Sequence, residues 1–370
     1  MNVIKAISFC LPIIITVSVG CSHPVTELPE GCPPDCTSLD LDTRGFFEAD
    51  LSGKNLANAD FRGANLGLPP FGGPLLPSPN LSNVNFQGAD LREVNLGRSN
   101  LSGAIFKNAN LQGAYLSRAR LDRTDFSGAD LTSVSFYGQQ LRGAIIDETT
   151  KIDRKWRLMW EILNQGAEGR DLTGVDLSKV DLKGVNFRGA NLTQANLYDT
   201  RLNEANLQDA NLTGANLNEA SFYSVNLQGA NLIGSNLDFV EWKGSQLSGT
   251  TKIDEKHRLI WQLVNNSLGL DNLSGADLSN ADLSDADMYK LNLIGADLSN
   301  SWLFSANLNK ADLTDANLRG ANFAQIHSVL REANLSRADL SKTYLKADEL
   351  LEYDAILDET IMSDGTIYSK

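Results

Sequence analysis

Beyond residue 36 this 370-residue chain contains no cysteine; the four it has are Cys10, Cys21, Cys32 and Cys36. No thiolate metal centre or cysteine nucleophile can therefore belong to the body of the chain. Histidine is nearly as scarce. His23, His257 and His327 are scattered, and no His/Cys/Asp cluster has the spacing of metal ligands. There is no phosphate-binding glycine loop either, because the glycines follow a short period instead. Positive charge is in deficit: the formal net charge is -14 and the estimated pI about 4.7. Binding to nucleic acid or anionic lipid needs clustered Lys and Arg, so this balance argues against both. Rows of Asp277, Asp282, Asp287 and Asp297 could suggest calcium, but the glycine-rich nonapeptides of calcium-binding β-rolls are missing. No catalytic residue, no metal ligand and no cofactor can be nominated, and an enzyme is not expected.

A long apolar run occurs only at the start. "MNVIKAISFCLPIIITVSVGC" has one positive residue, Lys5, then an apolar stretch from Ala6 to Val19, too short to span a bilayer comfortably. This is the layout of a secretory signal over residues 1–20. Ser18-Val19-Gly20-Cys21 resembles a bacterial lipobox, which implies lipid attachment at Cys21 and export to a periplasm, cell surface or related lumen. Ser18 stands where that pattern usually has Leu, and ordinary cleavage after Gly20 or an uncleaved anchor stay open. Export permits a disulfide, and "GCPPDC" sets Cys32 and Cys36 within reach if its prolines make a turn; two free thiols are the alternative. Residues 21–45, with Pro and Glu but no apolar period, are expected to be a tether.

From there a beat of five takes over. Counted from Leu41, and leaving out 67–80, there are 52 centres at five-residue spacing, of which 49 are Leu or Phe. Two residues before the centre the side chain is Ala, Val, Ser or Thr in 43 of the 52, so both positions are constrained. An α-helix cannot use this pattern: five residues advance about 500°, and successive leucines would wander round the axis. A flat strand would throw them onto alternate faces. A chain that turns a corner every five residues, pointing one large and one small side chain inward, satisfies it, and four such sides close a square coil. Asn or Asp between the two inward residues, as in Ala190-Asn191-Leu192, is expected at the corner, bonding backbone groups.

"ANLTG", "ADLSN" and "ANLQG" match the A(D/N)LXX consensus, and the chain resembles the pentapeptide-repeat family over about 260 of its 370 residues. The resemblance implies an all-β solenoid, a right-handed quadrilateral β-helix. Thirteen coils would make a rod of roughly 60 Å at the usual strand spacing.

Interruptions divide the repeats. The β-helix is expected over 46–146, 172–247 and 273–350, with a Pro/Gly-rich segment at 67–80 that is either a protruding loop or distorted coil. A two-residue slip near "AQIHSV" should bulge the wall, and 351–370, after another slip and a helix from Ala347 to Asp354, should cap the end. The inserts 147–171 and 248–272 resemble each other: "TTKIDRKWRLMWEILNQ" starts at Thr149 and "TTKIDEKHRLIWQLVNN" at Thr250, 101 residues later. Equal spacing argues for duplication of coils plus insert. Each reads as a short amphipathic helix, the first with Asp153 as N-cap. Its apolar face either packs on the solenoid or covers the end of a coil stack, or else Trp156, Trp160 and Trp261 form a docking surface for a partner. His257, aligned with Trp156, should be an exposed or half-buried helix residue.

The expectation for function is a noncatalytic, exported, membrane-tethered scaffold with an unidentified protein partner and a homo-oligomeric contact open at the solenoid ends. The alternative is an acidic DNA mimic, since some family members resemble duplex DNA and bind topoisomerase. The signal sequence opposes it, and Arg118, Arg120 and Arg123 interrupt any uniform acidic face.

Overall fold

The computed structural model describes residues 50–67, 78–136, 141–266, 269, 271–323 and 329–369. The signal segment, Cys21, the Cys32/Cys36 pair, the tether, His23, His327 and most of the 67–80 segment lie outside the described residues.

One coil shows how the sequence builds the whole. Leu192, Leu197, Leu202 and Leu207 are fully buried, with Ala190, Ala195, Thr200 and Ala205 buried beside them. The residue between each inward pair carries a parallel bridge to the same place 20 residues on, as Asn191 to Asn211 and Asn211 to Asn231. Along this ladder Leu192 N–H donates to the Asn211 carbonyl at 2.7 Å and Asn211 N–H to the Ala190 carbonyl at 2.9 Å. The corner comes next: Ala195 N–H donates back to the Leu192 carbonyl at 3.0 Å, and Gln194 has φ 56°, the positive value at the third position of a type II turn.

Asn191 is thus on the straight side, not at the corner as its composition suggested. Its Oδ1 accepts from Thr193 N–H at 3.2 Å and holds the first turn residue in place. The reason is geometric: a bridging residue must be extended, and the positive φ falls two residues after the large centre. An Asn side chain reaches that turn from the flat side.

Three stacks of such coils follow one another. In the first, the bridges from Asp50, Asn55, Asp60 and Asn65 run to residues 30 positions on rather than 20. Phe86, Phe106 and Phe126 form an inner column with ring centroids 5.0 and 5.2 Å apart. The first stack ends where β1 (Asp130–Leu131) pairs in parallel with β2 (Lys151–Ile152). The second runs from the bridge of Asp171 to that of Lys252, and Phe222 sits 5.3 Å from Trp242 one coil on. In the third, bridges such as Asp312 to Asn334 and Asn334 to Ile356 span 22 residues, because each crosses one of the two slips.

The inserts are helical: α1 spans Arg154–Gln165 and α2 Glu255–Val264. Asp153 occupies the N-cap position of α1 without capping it; its Oδ2 accepts instead from Ser133 N–H, in the coil below, at 3.2 Å. At the carboxyl end α3 (Ala347–Leu351), shorter than the expected helix, buries Leu350, and β3 (Thr360–Ile361) pairs antiparallel with β4 (Ile367–Tyr368). An antiparallel partner ends the parallel ladder and removes a free edge there.

Candidate functional site

The chemistry of this chain concentrates where α1 and α2 interrupt the coils. A stack that stops leaves N–H and C=O groups aimed at a coil that is not there, and each costs free energy if buried unpaired. On α1, Asn164 Oδ1 accepts from Gly143 N–H at 2.7 Å while its Nδ2 donates to the Leu141 carbonyl at 3.0 Å. Trp160 Nε1 donates to the Ala144 carbonyl at 2.7 Å. Arg157 donates to the Thr150 carbonyl at 2.6 Å, and Met159, Ile162 and Leu163 are buried. The Trp156 ring lies 5.3 Å from Phe136, twenty residues earlier, and so continues an inner column of the first stack.

The other side of α1 meets the second stack. Lys155 Nζ donates to the Ser178 carbonyl at 2.6 Å and pairs with Asp176 at 3.3 Å. The helix therefore covers the outgoing edge of one stack and contacts the incoming edge of the next.

The second insert repeats most of these bonds. Asn265 bonds Gly244 N–H at 2.7 Å and the Trp242 carbonyl at 3.1 Å, and Trp261 Nε1 donates to the Ser245 carbonyl at 3.0 Å. Arg258 donates to the Thr251 carbonyl at 2.6 Å, and Lys256 Nζ reaches Ser279 Oγ at 3.0 Å and Asp277 at 3.1 Å. Burial works against ionisation of Asp176 and Asp277, yet the hydrogen bonds from Ser178 and Ser279 and the charges of Lys155 and Lys256 hold both below the ordinary carboxylate range. Beside α2 the second and third stacks also touch directly: Phe239 N–H donates to the Asn280 carbonyl at 2.8 Å, its ring lies 4.9 Å from Trp302, and Lys243 pairs with Asp285 at 2.6 Å.

Of the sequence-nominated residues, Trp156, Trp160 and Trp261 are half-buried, in two separate junctions. The indole N–H groups of Trp160 and Trp261 are spent on this chain's own carbonyls. His257 is buried rather than exposed or half-buried, with Nδ1 3.0 Å from Asp254. Residues that sequence reasoning missed are Asn164, Asn265, Lys155, Lys256, Arg157 and Arg258. The signal was present: all are identical between the two copies at the 101-residue offset. Among the described residues no group of three or more His, Cys, Asp or Glu could hold a metal ion.

No curated relative matches this chain. Among solved structures it is similar to HetL, a pentapeptide repeat protein involved in heterocyst differentiation regulation from the cyanobacterium Nostoc sp., at 24% identity over 90% of this chain and 94% of that one, with a TM-score of 0.25. QnrB1, a plasmid-mediated fluoroquinolone resistance protein, matches at 17% identity over 62% and 89%, with a TM-score of 0.21. A pentapeptide repeat protein from the Arabidopsis thaliana thylakoid lumen matches at 22% identity over 54% and 86%, with a TM-score of 0.15. The family profile described as pentapeptide repeats matches residues 46–67, 80–118, 109–146, 171–209, 200–238, 272–301 and 303–346. These segments cover more than half of the chain, which belongs to the pentapeptide-repeat family.

Proposed function

We propose that this chain is a noncatalytic right-handed quadrilateral β-helix, exported and tethered to a membrane through Cys21, that serves as a rigid protein-binding or structural scaffold. The observation that carries this reading is the paired bonding of α1 and α2, which joins three coil stacks end to end. A break in a solenoid is a hinge unless both edges are satisfied. Here the helices bond both, and the long walls between them become one continuous surface for a partner. The lipobox-like segment at Ser18 to Cys21 supports the tether.

Fractionation of cells making the wild type and Cys21→Ala tests the reading. Wild type in the membrane fraction and the variant released from it are expected. A wild type recovered from the cytoplasm would overturn export and tethering, and crosslinking in native membranes that captures no protein would overturn partner binding.

A further inference from the structure

Charge is distributed unevenly along the rod. Residues 253–370 carry ten basic and nineteen acidic side chains, whereas residues 50–151 carry ten and nine. Within the first stack four of the ten basic side chains lie together on one wall. Arg120 bridges Asn100 in the ladder, so it projects outward from the straight side between Ala119 and Leu121, which are buried. Arg118 and Arg123 stand at the two corners of that side, with φ 61° and 58°. Arg142 follows one coil on, beside Gly143, whose carbonyl accepts from Arg123 N–H at 3.1 Å. All four side chains are exposed. Among the described residues two acidic side chains share this wall, both exposed: Asp122, 3.9 Å from Arg120, and Asp50, at the start of the ladder that runs through Asn80 and Asn100 to Arg120.

We propose that this wall docks on an anionic lipid surface, holding the first stack against the membrane. The inference rests on the tethered reading above. Two features favour a lipid surface over a small anion or a folded partner. The arginines project from one straight side, its corners and the next coil, an array spread along a wall. The wall also belongs to the stack that directly follows the leader. Between Cys21 and Asp50 lie 28 residues, enough to span about 30 Å, which exceeds the few coils of about 4.8 Å between the first coil and the arginines. The acidic third stack does not cancel the attraction. The coils of the second stack alone set it roughly 20 Å away, beyond the screening length of about 8 Å at physiological salt.

The test uses the purified full chain carrying Cys21→Ala, and vesicles of phosphatidylcholine alone or mixed in equal parts with phosphatidylglycerol. The apolar leader contributes to both, so the ratio of the two partition coefficients reads the charge term. That ratio is expected to favour anionic vesicles, to vanish at high salt, and to fall at least about tenfold in Arg118→Gln/Arg120→Gln/Arg123→Gln/Arg142→Gln. A control with the same charge change on the second stack, Lys179→Gln/Lys183→Gln/Arg188→Gln/Arg201→Gln, should keep it. No preference in the Cys21→Ala chain, or equal loss in the control, overturns the proposal. Self-association abolished by the arginine variant without any vesicle preference overturns it in favour of a second copy of the chain. The vesicle ratio is measured on pure protein and stands apart from the fractionation result, so the two readings fail separately.

Discussion

The imidazole Nδ1 of His257 stands 3.0 Å from the carboxylate of Asp254, while its Nε2 is buried with no hydrogen-bond partner among the described residues. The carboxylate accepts from Nδ1, which leaves Nε2 as the buried ring nitrogen without a partner. His257 lies twenty residues after the buried Leu237, the register in which Trp156 follows Phe136 in the first junction. A position that continues an apolar column thus holds a polar ring.

Replacing His257 by Leu removes the orphaned nitrogen at the cost of one hydrogen bond to a half-exposed Asp254. The variant should be more stable by about 1 kcal/mol. Urea unfolding measures this, and a lower midpoint than wild type would show that Nε2 has a partner.

The edge-covering bonds give a second expectation. Trp160→Phe keeps most of the ring but strands the Ala144 carbonyl, and Trp261→Phe strands that of Ser245. Each should cost about 1 kcal/mol, and Asn164→Leu, which strands Gly143 N–H, about 1–3 kcal/mol. Stability unchanged in both Phe variants would mean that water satisfies those carbonyls equally well.

The interior was legible in the sequence because a period of five has one geometric solution, and Leu192 and its successors are where that solution puts them. The corner was misplaced because composition cannot separate an Asn that turns from an Asn that bonds the turn; only the backbone at Gln194 decides. Asp153 looked like a cap, yet its carboxylate prefers an open-edge donor of the coil below, a group that exists only because the stack ends there. The roles of Asn164 and Lys155 were hidden for the same reason, although their recurrence as Asn265 and Lys256 marked them.

Acid should act on the first junction through Asp147. Hydrogen bonds from the Thr149 hydroxyl, Gly128 N–H and Thr150 lower its pKa from the usual 3.8 to about 2. A folded-state pKa below the unfolded one contributes stability that is complete above pH 3.8 and fades as pH falls toward about 2. Asp282, between the second and third stacks, has the opposite sign: burial, followed by the charges of Glu241 and Asp285, raises its pKa. Its ionisation costs stability as pH rises above 3.8, so Asp282→Asn should gain stability at neutral pH and lose the gain in acid. Asp147→Asn should flatten the acid limb. Urea midpoints across pH check both, and a wild-type slope retained in Asp147→Asn would assign that limb elsewhere.

The interior itself sets the sharpest expectation, because the two inward positions of one side differ only in size. Leu207 is fully buried and Ala205 nearly so, on either side of Asn206. Leu207→Ala deletes packed volume that stacked neighbours cannot refill without breaking the ladder, and should cost about 3–5 kcal/mol. Ala205 lies between Val185 and Val225 in the coils before and after, both buried. Its column already admits a β-branched side chain, so Ala205→Val should change stability by less than about 1.5 kcal/mol. Ala205→Leu adds a longer side chain opposite other large centres and should cost about 1–3 kcal/mol or more. The comparison is made by urea unfolding of the three variants. Ala205→Leu as mild as Ala205→Val would mean that the square interior has unfilled space, and the need for one small residue on every side would lose its physical basis.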